Sequence, residues 1–304
     1  MEPDVLEKYR MAGKTLAEVM QEAKSMVAED VMLLDVAEQV ERSIRSRGAK
    51  PAFPCNISLN RAAAHYTPSN DERSIFGESM VKLDIGVHFD GYIADAALTV
   101  DLSGHPELVE ASNEALAAAI EVVSAGISTS EIGKVIESTI TGFGFKPISN
   151  LTGHGLLRYE AHAEPSIPNR FVEKGVLLRA GDVIAIEPFA TNGLGRINEA
   201  PLTEIFGFNV QRPVRSKEAR ILMKHIMENY GKLPFARRWL KGGRVDLALK
   251  QLLHAGVLHR YPVLWEAEGA LVSQSEHTLI VIENGFEVIT NQTDFDKLQL
   301  TNKS

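Results

Sequence analysis

A pattern of seven residues occurs twice in this chain, 96 positions apart. Val36, Val40, Glu41, Ile44, Gly48, Lys50 and Pro51 match Ile132, Ile136, Glu137, Ile140, Gly144, Lys146 and Pro147. Each copy has apolar residues at helical spacing, then a glycine stop, then Lys-Pro leading into a strand. One explanation is two helix–strand units that look alike because helices end alike. The sharper one is an α/β (α+β) domain with pseudo-two-fold halves, whose functional site lies at their junction. The 304 residues permit one large domain or two ordinary ones, and a 44% hydrophobic content is enough for a sizeable core.

Around the repeat, residues 6–27 read as a first helix, and Asp30 is placed to cap a second that carries Leu33, Val36, Ala37, Val40 and Ile44 on one face. Residues 103–126 and 130–141 read as two more helices. Residues 181–188 (GDVIAIEP) and 277–282 read as apolar strands. Charge is split sharply. Residues 206–264 hold twelve Lys/Arg against three acids, net +9, and the remainder of the −8 chain is therefore −17. That basic stretch reads as three short helices (216–230, 234–240 and 244–255), an insert within a domain formed by residues 1–205 and 265–304. No apolar run of 18 residues exists, and the opening MEPDVLEKYR has no signal-peptide pattern. The single cysteine, Cys55, excludes an internal disulfide and a multi-thiolate zinc site. A cytoplasmic protein is expected, with no membrane or specific DNA partner.

The chemistry begins in residues 81–100. Asp90-Gly91 is a strong two-residue hairpin turn. It pairs residues whose numbers sum to 181, placing Asp84 opposite Ala97 and Asp95 opposite Gly86. The two aspartates are then diagonal neighbours on one face, about 5–8 Å apart, where like charges conflict unless a cation intervenes. Aspartates at strand ends held by backbone donors are the plainer alternative. His154 in TGHG, Glu187 closing VIAIEP and Glu276 in SQSEHTLIVI have the same isolated character. Two Asp, two Glu and one His form an oxygen-rich set suited to divalent ions, and four carboxylates balance two of them. Cys55 with His65 would suit a thiol hydrolase, a reading that a lone cysteine in a strand supports weakly.

AFPCNISLNRAAAHYTP, KLDIGVHFDGYIADAA, TGHG, EAHAEPSIPN, AIEPFATNGLGRI and EHTLIV follow one another in order. The series resembles the pita-bread metallopeptidases, and within them the type II methionine aminopeptidases of archaeal kind. The resemblance covers nearly the whole chain. It implies a pita-bread fold, an antiparallel sheet covered by helices, and a winged-helix-like character for the insert. It implies that Asp84, Asp95, His154, Glu187 and Glu276 hold two divalent ions (Co, Mn, Fe or Zn). Glu187 would pass a water proton, and His65 and His162 would assist catalysis beside the metals. Phe53 and Tyr261, with His65 and His162, would contact substrate.

The implied reaction is removal of the initiator methionine from nascent proteins with a small second residue, by attack of metal-activated hydroxide on the peptide carbonyl. A prolidase-like enzyme of the same fold and a non-catalytic RNA- or ribosome-binding relative are the alternatives. The five donor residues argue against the second. A monomer is expected, with ribosome contact through the basic insert as a further expectation. Ser275 departs from the family, which usually has Phe before the glutamate. The polar tail beyond Thr290 reads as a loose end.

Overall fold

The structure, a computed structural model, describes residues 1–291; the expectation of a loose tail lies almost wholly outside them. Helix α1 (Pro3–Met26) begins with proline in its first turn, where the missing N–H costs nothing. It buries Tyr9, Ala12, Leu16, Val19 and Ala23 along one face. Helix α2 (Leu33–Ser46) turns Val36, Val40 and Ile44 inward, as their spacing requires. Asp30 does not cap it. The cap position is Met32, without a side-chain bond, and Asp30 lies in a turn at φ 65. Tertiary pairing has displaced the expected cap. The Asp30 and Leu33 amides donate to the carbonyls of Phe76 and Ser74, 3.0 and 3.1 Å away.

These helices cover a hairpin of strands Met80–Phe89 and Tyr92–Asp101, which pairs in the register the turn dictates, Asp84 with Ala97 and Gly86 with Asp95. Together they form the core of the first half. Helices α3 (Pro106–Glu121) and α4 (Thr129–Gly142) close a second core over a five-stranded antiparallel sheet. Its order is Gly285–Val288, His277–Ile282, Val183–Ile186, Thr152–Leu157, Glu160–Pro168. Helix α3 is shorter than its pattern suggests, because the Asp101 carboxylate accepts the Ser103 and His105 amides and holds 103–105 as a turn. The repeated Lys-Pro pairs occupy matching places. Lys50–Pro51 pairs antiparallel with the strand of Asp84, and Lys146–Pro147 with Phe189–Thr191, just beyond Glu187.

The halves meet where Ala97 bridges to Glu276 and the Thr278 hydroxyl engages Asp95. That hydroxyl accepts the Asp95 amide at 2.8 Å and donates to its carbonyl at 2.7 Å.

In the basic segment, strand Ile205–Phe208 lies between Phe235–Ala236 and Leu258–Tyr261. Helices α5 (Lys217–Asn229) and α6 (Val245–His254) back it with their own apolar core. Residues 234–240 are not the helix their sequence suggests. They form the strand Phe235–Ala236 and a single 3-10 turn, Arg237–Trp239. Strand pairing with Ile205 and Phe206, and stacking of Phe235 on Tyr230 at 5.1 Å, hold the backbone extended.

Ile140 is fully buried in the second core, whereas Ile221 on α5 is 60% exposed. Ile140→Ala is expected to cost about 2–5 kcal/mol. Ile221→Ala should stay within about 0.5 kcal/mol. Urea unfolding of the two variants checks this.

Candidate metal centre

Five elements converge at the junction of the halves. The hairpin supplies Asp84 and Asp95. His154 comes from strand Thr152–Leu157, Glu187 follows Val183–Ile186, and Glu276 precedes His277–Ile282. Register brings the last three together, since Ala185 pairs with His154 and Ile186 with His277. Gly153 makes this approach possible, because a Cβ there would overlap the Ala185 carbonyl. Gly86, opposite Asp95, is likewise required, because the Phe53 ring lies where its Cβ would be.

His154 Nε2 lies 3.5 Å from Glu187 Oε1 and 3.9 Å from Asp95 Oδ2. One donor atom each from Asp95, His154 and Glu276 falls within 4.8 Å of the others. His154 Nδ1 is 3.2 Å from the Gly155 carbonyl. That bond fixes the proton on Nδ1 and turns the Nε2 lone pair to the carboxylates, the orientation of a metal-binding imidazole. Burial drives the His154 pKa down to about 3, with nearby His162 adding to the effect.

The carboxylates shift the other way. Asp84 is pushed up to about 6 by burial, against donated hydrogen bonds from Gln274 and Asn56. Asp95, Glu187 and Glu276 are raised well above the usual carboxylate range, first by burial and then by one another and Asp84. Asp84 Oδ1, Asp95 Oδ1 and Glu276 Oε1 are buried without a hydrogen-bond partner. Unpartnered buried carboxylate oxygens facing a neutral imidazole lone pair have the chemistry of a divalent-cation site. Among the described residues, no lysine or arginine lines the cavity to take the cation's place.

The cavity has a volume of about 300 Å³ and places every sequence-predicted site residue on its wall. Phe53, His65 and Tyr261 line it, and His162 lies beside His154, their rings 4.7 Å apart. Tyr261 sits among three imidazoles, with ring centres at 5.6 Å from His65, 5.8 Å from His162 and 4.8 Å from His259. Sequence reading passed over His259, which packs on Tyr261 and over Gly207, and also Asn56, Asn150, Ile205 and Pro234 on the cavity wall. Gln274, whose amide donates to Glu187 Oε2 at 3.4 Å, was signalled only by its place two residues before Glu276.

Cys55 is buried with its thiol pKa driven up by desolvation, so the thiol-hydrolase reading falls. Ser275 is also accounted for. Its hydroxyl donates to Asn113 Oδ1 at 2.6 Å and lies 2.9 Å from Ser112 Oγ, tying the strand beside Glu276 to α3 by polar bonds.

Metallopeptidase family M24 matches residues 7–219. The methionine aminopeptidase of Archaeoglobus fulgidus is 56% identical over 291 residues, spanning 95% of this chain and 100% of that protein. The Methanocaldococcus jannaschii methionine aminopeptidase is 46% identical over 293 residues, 95% and 100% of the two chains. Among solved structures, the methionine aminopeptidase of Thermotoga maritima has a TM-score of 0.72 at 23% identity, covering 96% of this chain and 98% of that one. A thermophilic Arx1 has a TM-score of 0.84 at 18% identity over 95% and 91%. The Pyrococcus furiosus prolidase has a TM-score of 0.62 at 19% identity, covering 96% of this chain and 65% of the prolidase. These structures share the fold.

The raised carboxylates make metal-free stability depend on pH. The folded protein keeps protons that the unfolded chain, titrating near 4, has already released. The stability these groups allow is therefore fully present below about pH 4 and is lost as pH rises through about 6 and beyond. Chelated protein is expected to lose Tm across this range from these groups, and Mn²⁺ should restore it most at the upper end. Scanning calorimetry of chelated and Mn²⁺-loaded protein at pH 5 and 7.5 checks this; equal Tm with and without metal at pH 7.5 contradicts it.

Proposed function

The chain belongs to metallopeptidase family M24, and from that premise we propose that it removes N-terminal methionine from polypeptides whose second residue is small. The observation that carries the reading is the set of unpartnered buried carboxylate oxygens facing His154, in a cavity with an apolar wall beside it. Asp84, Asp95, His154, Glu187 and Glu276 would hold two divalent ions. Such ions supply Lewis acidity, lowering the pKa of water and polarising a carbonyl.

The chain's own residues do the rest. Glu187, its carboxyl raised by burial, accepts a proton from water and passes it on. His162, neutral because burial lowers its pKa, donates to the carbonyl oxygen as negative charge builds there. His65 is held neutral by burial at about 4, with Nδ1 3.3 Å from the Pro262 carbonyl. Its Nε2 therefore offers a lone pair, and His65 orients a substrate N–H rather than donating a proton. Phe53, Ile205, Pro234 and Tyr261 form an apolar wall that a methionine side chain fits.

Relatives 46–56% identical along nearly their full lengths are methionine aminopeptidases, which favours this reading over the prolidase one. The prolidase, of which this chain covers 65%, shares only the fold. Ribosome contact through the basic segment is a proposal resting on its +9 charge. Arg238 is buried and Arg237 pairs with Asp246 at 2.5 Å. Exposed Lys217, Lys241 and Lys250 are the side chains to reverse.

Met-Ala-Ser is expected to release methionine in a metal-dependent way, and Met-Gly peptides should be cleaved far faster than Met-Trp. Glu187→Gln should nearly abolish turnover. His162→Ala and His65→Ala should retain metal and lose about 10²–10³-fold in rate. Full activity after exhaustive chelation, or equal cleavage of Met-Gly and Met-Trp, sinks the proposal.

A further inference from the structure

The cavity has two walls from different parts of the chain. Phe53, Asn56 and His65 come from the body, Pro234 and Tyr261 from the basic segment, and Ile205 from the strand that leads into it. One buried cluster joins them. Arg238, on the 3-10 turn four residues after Pro234, has a side chain only 2% exposed and forms an ion pair with Glu41 of α2, itself 5% exposed. The guanidinium also donates to the Thr67 hydroxyl at 2.5 Å and to the Pro68 carbonyl at 3.2 Å. Trp239 Nε1 donates to the other Glu41 oxygen at 2.6 Å. Glu41 in turn accepts the Cys55 amide at 3.3 Å, and the Thr67 hydroxyl donates to the Cys55 carbonyl at 2.7 Å.

The cluster's partners flank the body wall. Cys55 lies between Phe53 and Asn56, and Thr67 lies two residues after His65. On the other side, the turn follows strand Phe235–Ala236, where Ala236 pairs with Ile205, and Ile205 pairs with Tyr261. The chain of contacts therefore runs from one wall to the other through Glu41 and Arg238, beside the direct contact of the His65 and Tyr261 rings, 5.6 Å apart.

Resting on the methionine reading, we infer that the Glu41–Arg238 pair positions the two walls and so sets the width of the side-chain pocket. It touches neither substrate nor the metal-ligand residues, so it governs binding and discrimination rather than the chemical step. A two-pronged guanidinium bonded to three body groups fixes both distance and angle, which a lysine's single ammonium does not reproduce. Removing one partner alone strands a buried charge, so the informative variants are Arg238→Lys and the double change Glu41→Gln/Arg238→Met.

With Mn²⁺-loaded protein and Met-Ala-Ser, both variants should show KM raised about tenfold and kcat within about twofold of the parent, with Mn²⁺ stoichiometry by calorimetry unchanged. The preference for Met over Leu at the first residue should narrow. Affinity for free L-methionine and L-leucine, read by saturation-transfer NMR, should show the same weakening and narrowing without turnover. If the double variant fails to fold, Arg238→Lys carries the test alone. Unchanged KM, discrimination and amino-acid affinities in a folded variant overturn the inference, as does a fall in kcat that tracks lost Mn²⁺. A parent that does not cleave Met-Ala-Ser refutes the activity reading instead, and the amino-acid affinities then decide the positioning role by themselves.

Discussion

Asp84, Asp95, Glu187 and Glu276 are packed into one buried junction beside a neutral imidazole. At an effective dielectric near 20, two like charges about 4 Å apart repel by roughly 4 kcal/mol. A whole domain is stable by only about 5–15 kcal/mol, so this cluster cannot stay fully ionised without counter-charge. Protons supply it in the metal-free protein, where burial first, and repulsion second for Asp95, Glu187 and Glu276, pushes the carboxyl pKa values up. Under the proposed function divalent ions would supply it near neutral pH, with the oxygens that lack partners as their ligands.

The rest of the fold serves that junction. The hairpin register places two aspartates on one face, and the Thr278 hydroxyl locks that hairpin to the strand leading from Glu276. Each half brings its own core, so Asp84, Asp95 and His154 stand within packed strands and Glu187 and Glu276 at strand ends. The basic segment adds a third body with a separate core, and its contribution to the cavity comes through Pro234 and Tyr261. That division puts the carboxylates and His154 on the two halves, and Pro234 and Tyr261 on the segment that interrupts the second half.

Much of this was legible in the residues, for physical reasons. A two-residue Asp-Gly turn leaves one register, so the pairing sum of 181 held along all ten pairs of the hairpin. Helical periodicity located α2, α4, α5 and α6 closely because each has one apolar face. Where tertiary contacts override local preference, sequence reading failed. Asp30 lost its capping role to pairing with residues 74–76, and 234–240 became a strand and a turn. Nothing local in the sequence marks Arg238 as buried, because its partners lie 170 to 197 residues away. Asn56 and Gln274 went unread for a similar reason. A neutral amide signals nothing by itself, and its partner carboxylate lies on another strand.

Metal binding is expected to replace protons on the buried carboxylates. Calorimetric titration of chelated protein with Mn²⁺ at pH 6.5, in two buffers of different ionisation enthalpy, counts the protons released. The account predicts net release of at least one proton per protein, falling towards zero as pH is raised well above the carboxylates' shifted range. Saturating Mn²⁺ binding with no proton release at pH 6.5 would contradict it.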